Sequence, residues 1–375
     1  TSGGAFTCNL PAGSAGAIVS VADYTRTFQT NNLTVSPNGT EKLGGVNADA
    51  KLSTEGQSVT FVYVDATEGW INVQDSTSAV QGRLVTPFII ATVSGACNTL
   101  TTSGNCKIAT FTGPGTFCVT NEGTGSNQVV SHMVIAGGGG GGHDDGGGGG
   151  AGGFRENESP VTPYTQSPLA GGTAVTISSA SAIPITVGAG GVGGVPTVTC
   201  NATQGSSSIF STITSAGGGL GGRGAPTGGP GGSGGGGGEA VPGGTGNTPP
   251  VSPAQGKNGG TGGGANASAG GGGAGAVGSN GISSPAGGGA GGAGVTTEIN
   301  GSPVTRSGGG GGGGFNTPGA GGSGGGGSGG KYPSTQATAG TVNTGGGGGG
   351  GSTNTGPRDG KSGGSGIVII RYKFQ

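Results

Sequence analysis

Very little of this chain is charged, aromatic or aliphatic. Charged residues are 8% of the 375, with 14 Lys and Arg against 15 Asp and Glu, so the net charge is −1. No Lys/Arg cluster occurs, which removes the electrostatic footprint of a nucleic-acid or anionic-membrane binder. Leu, Ile, Val and Phe together number 62 of 375, about 17%, too few for a conventional core throughout. Low hydrophobicity alone suggests disorder, but such disorder goes with high net charge, which is missing. No apolar run approaches the roughly 18 residues of a membrane-spanning helix. The opening segment TSGGAFTCNL has no basic region of a secretory leader, so a soluble chain is expected. His132 and His143 are the only histidines, and no Gly-x-Ser-x-Gly elbow sits in a strand-to-helix setting, so catalysis and cofactors are not expected. Cys8, Cys97, Cys106, Cys118 and Cys200 contain no CxxC spacing, which argues against zinc. The spacing does allow a disulfide-closed Cys97–Cys106 loop.

Glycine is what the chain has, 104 residues of it, unevenly spread: 16 lie in residues 1–136 and 88 in residues 137–375. The first part can bury a β-type core, whereas whatever orders the second must be backbone. Three regions follow: an N-terminal β module over 1–84, a β-hairpin and connecting region over 85–136, and a glycine-rich domain over 137–375. Strands are expected at Ala17–Val21, Val59–Asp65, Trp70–Val73 and Phe88–Val93, forming a small sandwich or an intertwined β domain. Lys107–Phe111 and Thr116–Thr120 flank Thr112-Gly113-Pro114-Gly115, which reads as a hairpin turn. The glycine-rich block is bracketed by Val129–Ala136 and by a C-terminal strand over 366–374. These two segments are expected to pair and close the domain at its root. In the last strand, Val368, Ile370, Tyr372 and Phe374 share one face and Ile367, Ile369, Arg371 and Lys373 the other, as in a half-buried strand.

Glycine runs recur at 137–142, 146–150, 234–238, 270–273, 308–314, 324–327 and 345–351. They lack the Gly-X-Y period of collagen, and each Gly would cost an α-helix about 1 kcal/mol relative to Ala. A flexible linker and a packed polyglycine-II array remain. Extended three-residue-per-turn chains without Cβ can approach closely enough to bond their backbone groups in several directions. Apolar interruptions such as Ser208–Ile213 and Ala174–Ile177 do not suit a linker. The expected fold is therefore an all-β N-terminal region followed by a polyglycine-II sandwich, with essentially no α-helix.

Glycine runs recognise nothing specific, so recognition must sit where side chains interrupt them. The interruptions are Phe154–Ala170, Asn247–Asn258, Thr296–Ser307, Phe315–Pro318 with Lys331–Asn343, and Ser352–Ser362. They supply Phe154, Arg155, Tyr164, Glu298, Arg306, Phe315, Lys331, Tyr332, Arg358 and Asp359, of the aromatic and charged types that anchor interfaces. His143-Asp144-Asp145 is a weak metal candidate, whose place between two glycine runs better fits the polar tip of a turn. Gly360-Lys361-Ser362 resembles the end of a phosphate-binding loop, but Thr355 stands where Gly is required.

The segment Lys107–Phe117, the run of Met133–Ala136 into glycine, GGGGAGGFRE at Gly147–Glu156 and the terminal GSGIVIIRYKFQ together resemble the glycine-rich tail-fibre and adhesin proteins of tailed bacteriophages. Thr67–Val73 also looks like a β module of such fibres. The resemblance implies attachment of a virion tail fibre to a bacterial surface receptor, a glycan or an outer-membrane protein. It also implies an extracellular location, contact with other virion tail proteins, a homotrimer or a monomeric tip mounted on a trimeric fibre, a protease-resistant scaffold and receptor-binding loops, with no membrane insertion. Cys97, Cys106 and Cys118 around the hairpin depart from the family pattern. The rival reading is a structural extracellular filament or matrix protein without specific receptor binding. A glycan depolymerase lacks a carboxylate pair on a plausible scaffold.

Overall fold

A computed structural model describes residues 3–76, 88–196, 202–224, 227–353 and 358–375. Cys200, the 84/85 boundary and residues 354–357 of one insertion lie outside the described residues. The chain divides into two compact units, Thr1–Val85 and Thr86–Gln375. Strands dominate, and the only helical element among the described residues is a 3-10 turn at Gly125–Gln128.

In the first unit, β1 (Phe6–Asn9), β3 (Leu33–Ser36) and β4 (Ala50–Leu52) form one sheet, and β2 (Ile18–Ala22), β5 (Ser58–Asp65) and β6 (Gly69–Ser76) another. Their inner faces share a core, with Leu33, Val35 and Leu52 from the first sheet against Val59, Phe61 and Trp70 from the second. Alternation along β5 turns Val59 and Phe61 inward and Thr60 and Val62 outward, the two-fold period of a strand. Of the two expected outcomes this is the small sandwich, but the strand expected at Phe88–Val93 belongs to the second unit instead.

The second unit opens with β7 (Ile89–Ser94), β8 (Thr99–Ser103), β9 (Cys106–Phe111), β10 (Gly115–Glu122) and β11 (Val129–Ile135). It continues through β12 (Phe154–Asn157), β13 (Val175–Thr176), β14 (Ala182–Thr186), β15 (Ser208–Phe210) and β16 (Ile213–Ser215). Two short hairpins follow, β17 (Ile282–Ser283) with β18 (Ala286–Gly287) and β19 (Val295–Thr297) with β20 (Val304–Arg306), before the closing β21 (Ile367–Lys373). One main sheet runs β12-β11-β21-β9-β8 and the other β16-β15-β14-β10-β7. The bracketing segments pair as the sequence suggests: β11 and β21 are antiparallel, with Ser131 opposite Arg371 and Ile135 opposite Ile367.

Three expectations are corrected. First, β9 and β10 are not a hairpin. Each pairs within a different sheet, so Thr112–Pro114 carries the chain across the sandwich. The crossing lets Phe111 and Phe117 enter the same core from opposite sheets, both 0% exposed. Asn98 fixes the turn: its Nδ2 donates to Ser94 O at 2.8 Å and its Oδ1 accepts from Thr112 N at 3.1 Å. Second, β21 is buried on both faces. Val368, Ile370 and Tyr372 enter the inter-sheet core, and Ile367 and Ile369 enter a second core with Met133, Ile135, Phe154 and Ile299. Third, Cys97 and Cys106 are free thiols, as are Cys8 and Cys118. Cys106 is buried and sits opposite Ser103 in the β8–β9 pairing, whereas Cys97 is exposed in a separate turn, so backbone pairing closes that loop instead.

Beyond the sandwich, the glycine runs are neither helix nor strand, and their hydrogen bonds repeat every third residue. Gly137 and Gly140 donate to Ser206 and Thr203, Gly138 and Gly141 to Gly364 and Lys361, and Gly139 and Gly142 to Gly150 and Gly147. The same run accepts from Gly218 and Gly221, from Gly191 and Gly194, and from Gly348 and Gly351. Run 137–142 is thus bonded to segments on every side, the pattern of polyglycine II. Runs 146–151, 308–314 and 345–351 are likewise buried along their length. A Cβ built on Gly138, Gly139 or Gly140 would overlap the carbonyl oxygen of Gly346, Gly219 or Val192. Outer segments instead carry a side chain every third position, exposed at Ala189 and Val192, Pro242 and Thr245, and Val277 and Asn280.

Gly310→Val, whose Cβ would meet the Gly348 carbonyl, is expected to cost more than about 3 kcal/mol. Val277→Ala on an outer segment should stay within about 0.5 kcal/mol, and thermal unfolding of both variants checks the contrast. His132, 2% exposed on β11 against the Phe210 ring, has its pKa lowered to about 4 by burial and by the nearby Arg155 charge. The unfolded chain then binds a proton that the native state refuses between about pH 6.5 and 4. Acidification through that window should remove up to about 3 kcal/mol, and His132→Leu should flatten the slope in pH-dependent denaturation.

Candidate functional site

The chain crosses the lattice back and forth between two ends. The root end adjoins the sandwich, where run 137–142 leaves β11, segment 188–194 follows β14, and segment 360–366 runs into β21. The other end is the tip, reached where those crossings finish or begin. Loops at the tip touch through isolated pairings: Gly146 with Arg223, Ala267 with Gly314, Gly314 with Lys331, and Gly287 with Thr317.

This geometry divides the candidate residues. Phe154, Arg155, Tyr164, Glu298 and Arg306 stand at the root. Phe154 is 1% exposed in the second core and Arg306 is 7% exposed, so neither is displayed on a loop tip. Tyr164 and Glu298 are half-buried, and Glu298 N donates to Thr165 O at 2.9 Å, tying two root loops together. Arg155 is half-buried on β12, its Nη1 3.5 Å from Thr214 O. Burial lowers the pKa of Arg155 and Arg306 and raises that of the Tyr164 phenol, the last with help from Glu156 and Glu158. Insertions Phe154–Ala170, Asn247–Asn258 and Thr296–Ser307 therefore brace the root: Gln255 Oε1 accepts from Ala216 N at 2.9 Å, and Asn247 N donates to Gly232 O at 2.8 Å.

Phe315, Lys331, Tyr332, Arg358 and Asp359 gather at the tip. Phe315 and Tyr332 come from different loops yet stack, with ring centroids 4.8 Å apart and planes 8° from parallel. Backbone bonds hold the stack from below: Tyr332 N donates to Gly314 O at 3.3 Å, and Lys331 and Thr335 exchange a pair at 2.8 and 2.9 Å. Phe315 N donates to Asn266 O at 3.2 Å and Asn316 N to Ala286 O at 2.8 Å, joining four loops around it. Phe315 is 39% exposed.

A second tip cluster centres on Asp144. Arg358 donates through Nε to Oδ1 and through Nη2 to Oδ2, the latter at 2.8 Å, while His143 Nδ1 lies 3.0 Å from Oδ2. Burial works against the Asp144 carboxylate, but the bonds from Arg358 and His143 and the Arg358 charge bring its pKa below the usual carboxylate range. Asp145 turns the other way. It is 4% exposed, and burial together with the charge and hydrogen bond of Glu239 pushes its pKa up to about 7. At His143-Asp144-Asp145, Arg358 occupies the Asp144 oxygens and Asp145 faces Glu239, and no cluster of three or more ligating side chains occurs among the described residues. Asp359 lies 3.9 Å from Lys361 Nζ in a weaker, more exposed pair.

Sequence reasoning passed over Glu239, Asn266 and Asn316. Glu239 follows run 234–238 as His143 follows run 137–142, so the first side chain after a run was the available signal. It also missed a buried root network in which Glu156, 1% exposed, accepts from Ser167 N at 3.0 Å and from Thr297 Oγ1. Period-two burial in a strand only four residues long gave no hint of it.

A model of the glycine-rich domain family matches residues 110–373. The chain belongs to the glycine-rich domain family. No curated protein matches it. The matched span of this glycine-rich domain starts within β9 and ends with β21, so it takes in the β11–β21 pairing and the whole lattice with both its ends.

Because native Asp145 holds its proton up to about pH 7 while the unfolded carboxyl releases it near 3.8, stability should fall as pH rises through that interval. Asp145→Asn should remove this part of the slope, measured by denaturant unfolding at pH 4, 5.5 and 7.

Proposed function

We propose that this glycine-rich domain protein is a bacteriophage tail-fibre component that attaches to a bacterial surface receptor through the tip loops of its lattice. The observation that carries the reading is the pairing of β11 with β21: the chain enters and leaves the lattice at the sandwich, leaving the tip loops far from either attachment. A backbone-bonded lattice holds such loops rigidly, so little ordering entropy is lost when they bind. Specificity then resides in the few tip side chains, since lattice interiors offer only backbone. In this reading the protein is extracellular, part of a virion and non-enzymatic. It assembles as a homotrimer with other tail proteins, and its partner is a surface glycan or an outer-membrane protein.

The test is adhesion of the fluorescently labelled full chain to a panel of bacterial strains. Replacing 331–336 by a Gly/Ser loop of equal length should change or abolish the strains bound, while replacing 248–252 at the root should leave them unchanged. Binding to no strain, together with assembly of the purified chain into long fibres, would favour the structural filament instead. Adhesion indifferent to every tip exchange would remove the tip from the reading.

A further inference from the structure

From the Phe315–Tyr332 stack and its surroundings, we infer that the tip binds a hexopyranose glycan, whose apolar face lies on the Phe315 ring. The inference rests on the attachment reading above and names the chemistry of its ligand. Tyr332 covers one face of Phe315 in near-parallel stacking, yet Phe315 remains 39% exposed, so what it offers to solvent is its other face and rim. Ile282 in the neighbouring loop is 51% exposed as well, so the joined loops leave apolar surface open at the tip. The Gly314–Lys331 and Ala267–Gly314 pairings and the bond from Phe315 N to Asn266 O fix the ring's backbone on both sides. The surface is therefore formed before any ligand arrives.

The groups around the ring select the ligand class. In the four loops joined here, 264–267, 282–287, 315–318 and 331–336, Lys331 is the only charged residue. The rest of the polar complement is short and neutral, with Asn316, Thr317, Ser334 and Thr335 all exposed. A phosphate-bearing ligand would call for a guanidinium fork, and none of these four loops carries an arginine. A protein receptor would call for a broad contact with several aromatic or Arg anchors, whereas one ring pair is on offer. A pyranose fits what is present: one face carries C–H bonds whose positive hydrogens suit the negative face of an aromatic ring. Its rim of hydroxyls both donates and accepts, matching the amide and hydroxyl groups of Asn316, Thr317, Ser334 and Thr335. Lys331, the one cation of these loops, favours a carboxylate-bearing sugar over a neutral one.

The full chain is to be applied to an array of bacterial lipopolysaccharide and capsular oligosaccharides, with purified outer-membrane proteins on the same surface. Titration of the best ligand would follow. We expect a hexopyranose ligand, a loss of about tenfold or more for Phe315→Ala and retention by Phe315→Trp, which keeps an aromatic face. Tyr332→Ala should weaken the same ligand, while Val192→Ala on an outer segment should not, and melting temperatures verify that each variant is folded. No glycan bound, or a glycan bound equally by Phe315→Ala and Tyr332→Ala, would overturn the proposal. Adhesion to cells with capture of an outer-membrane protein alone would overturn the glycan and leave the attachment reading standing. Absence of both adhesion and array binding would overturn the two together.

Discussion

Everything in the second unit depends on backbone N–H and C=O groups meeting where side chains would otherwise stand. Each buried glycine gives one donor and one acceptor to neighbours lying in different directions, and the direction rotates by a third of a turn per residue. That geometry leaves no room for a Cβ at most interior positions, since one on Gly138 would already overlap the Gly346 carbonyl, and the non-glycine residues buried among the crossings are as small as Ala151, Ser233 and Ala269. Composition and fold are therefore one constraint: the scarcity of apolar residues is what close approach of the chains requires.

Such a lattice is finely balanced. A net gain of about 1 kcal/mol per hydrogen bond stands against a backbone entropy of roughly 1–2 kcal/mol per residue, larger still for glycine. Packing contact between adjacent chains helps, but an apolar anchor is also needed. The sandwich supplies it from both sides of one sheet. Residues of β21 enter two separate cores, one between the sheets and one facing the lattice, where Ala274 comes from a lattice crossing and Val295 and Ile299 from the β19–β20 hairpin at the root. Closing β11 against β21 also brings together positions far apart in sequence, so the lattice cannot loosen at its ends without opening a buried sheet.

Much of this was legible in the sequence and some could not be. The run boundaries, the strand-like character of Val129–Ala136 and 366–374, and the steric logic of glycine pointed directly to the lattice and its closure. The fate of Thr112-Gly113-Pro114-Gly115 was illegible, because a turn that reverses a strand and one that carries it to the facing sheet use the same residues. Which end of the lattice a loop occupies was hidden for a related reason. A glycine run reads the same in either direction, and crossings such as 188–194 and 241–246, interrupted by Ala, Val and Thr, did not look like runs. Phe154 and Arg306 thus seemed equivalent to Phe315 and Arg358, though an odd or even number of crossings separates a buried root from an open tip.

The side chains spaced every third residue along the outer segments have a consequence of their own. A hydrogen-bonded array with open faces would add further chains without limit, as a crystal adds layers. Val192, Thr245 and Val277 stand where the next layer would have to approach, and they act as growth poisons do on a crystal face. The protein is in this sense a crystallite of fixed size, its dimensions written into the few positions where glycine is not allowed to continue.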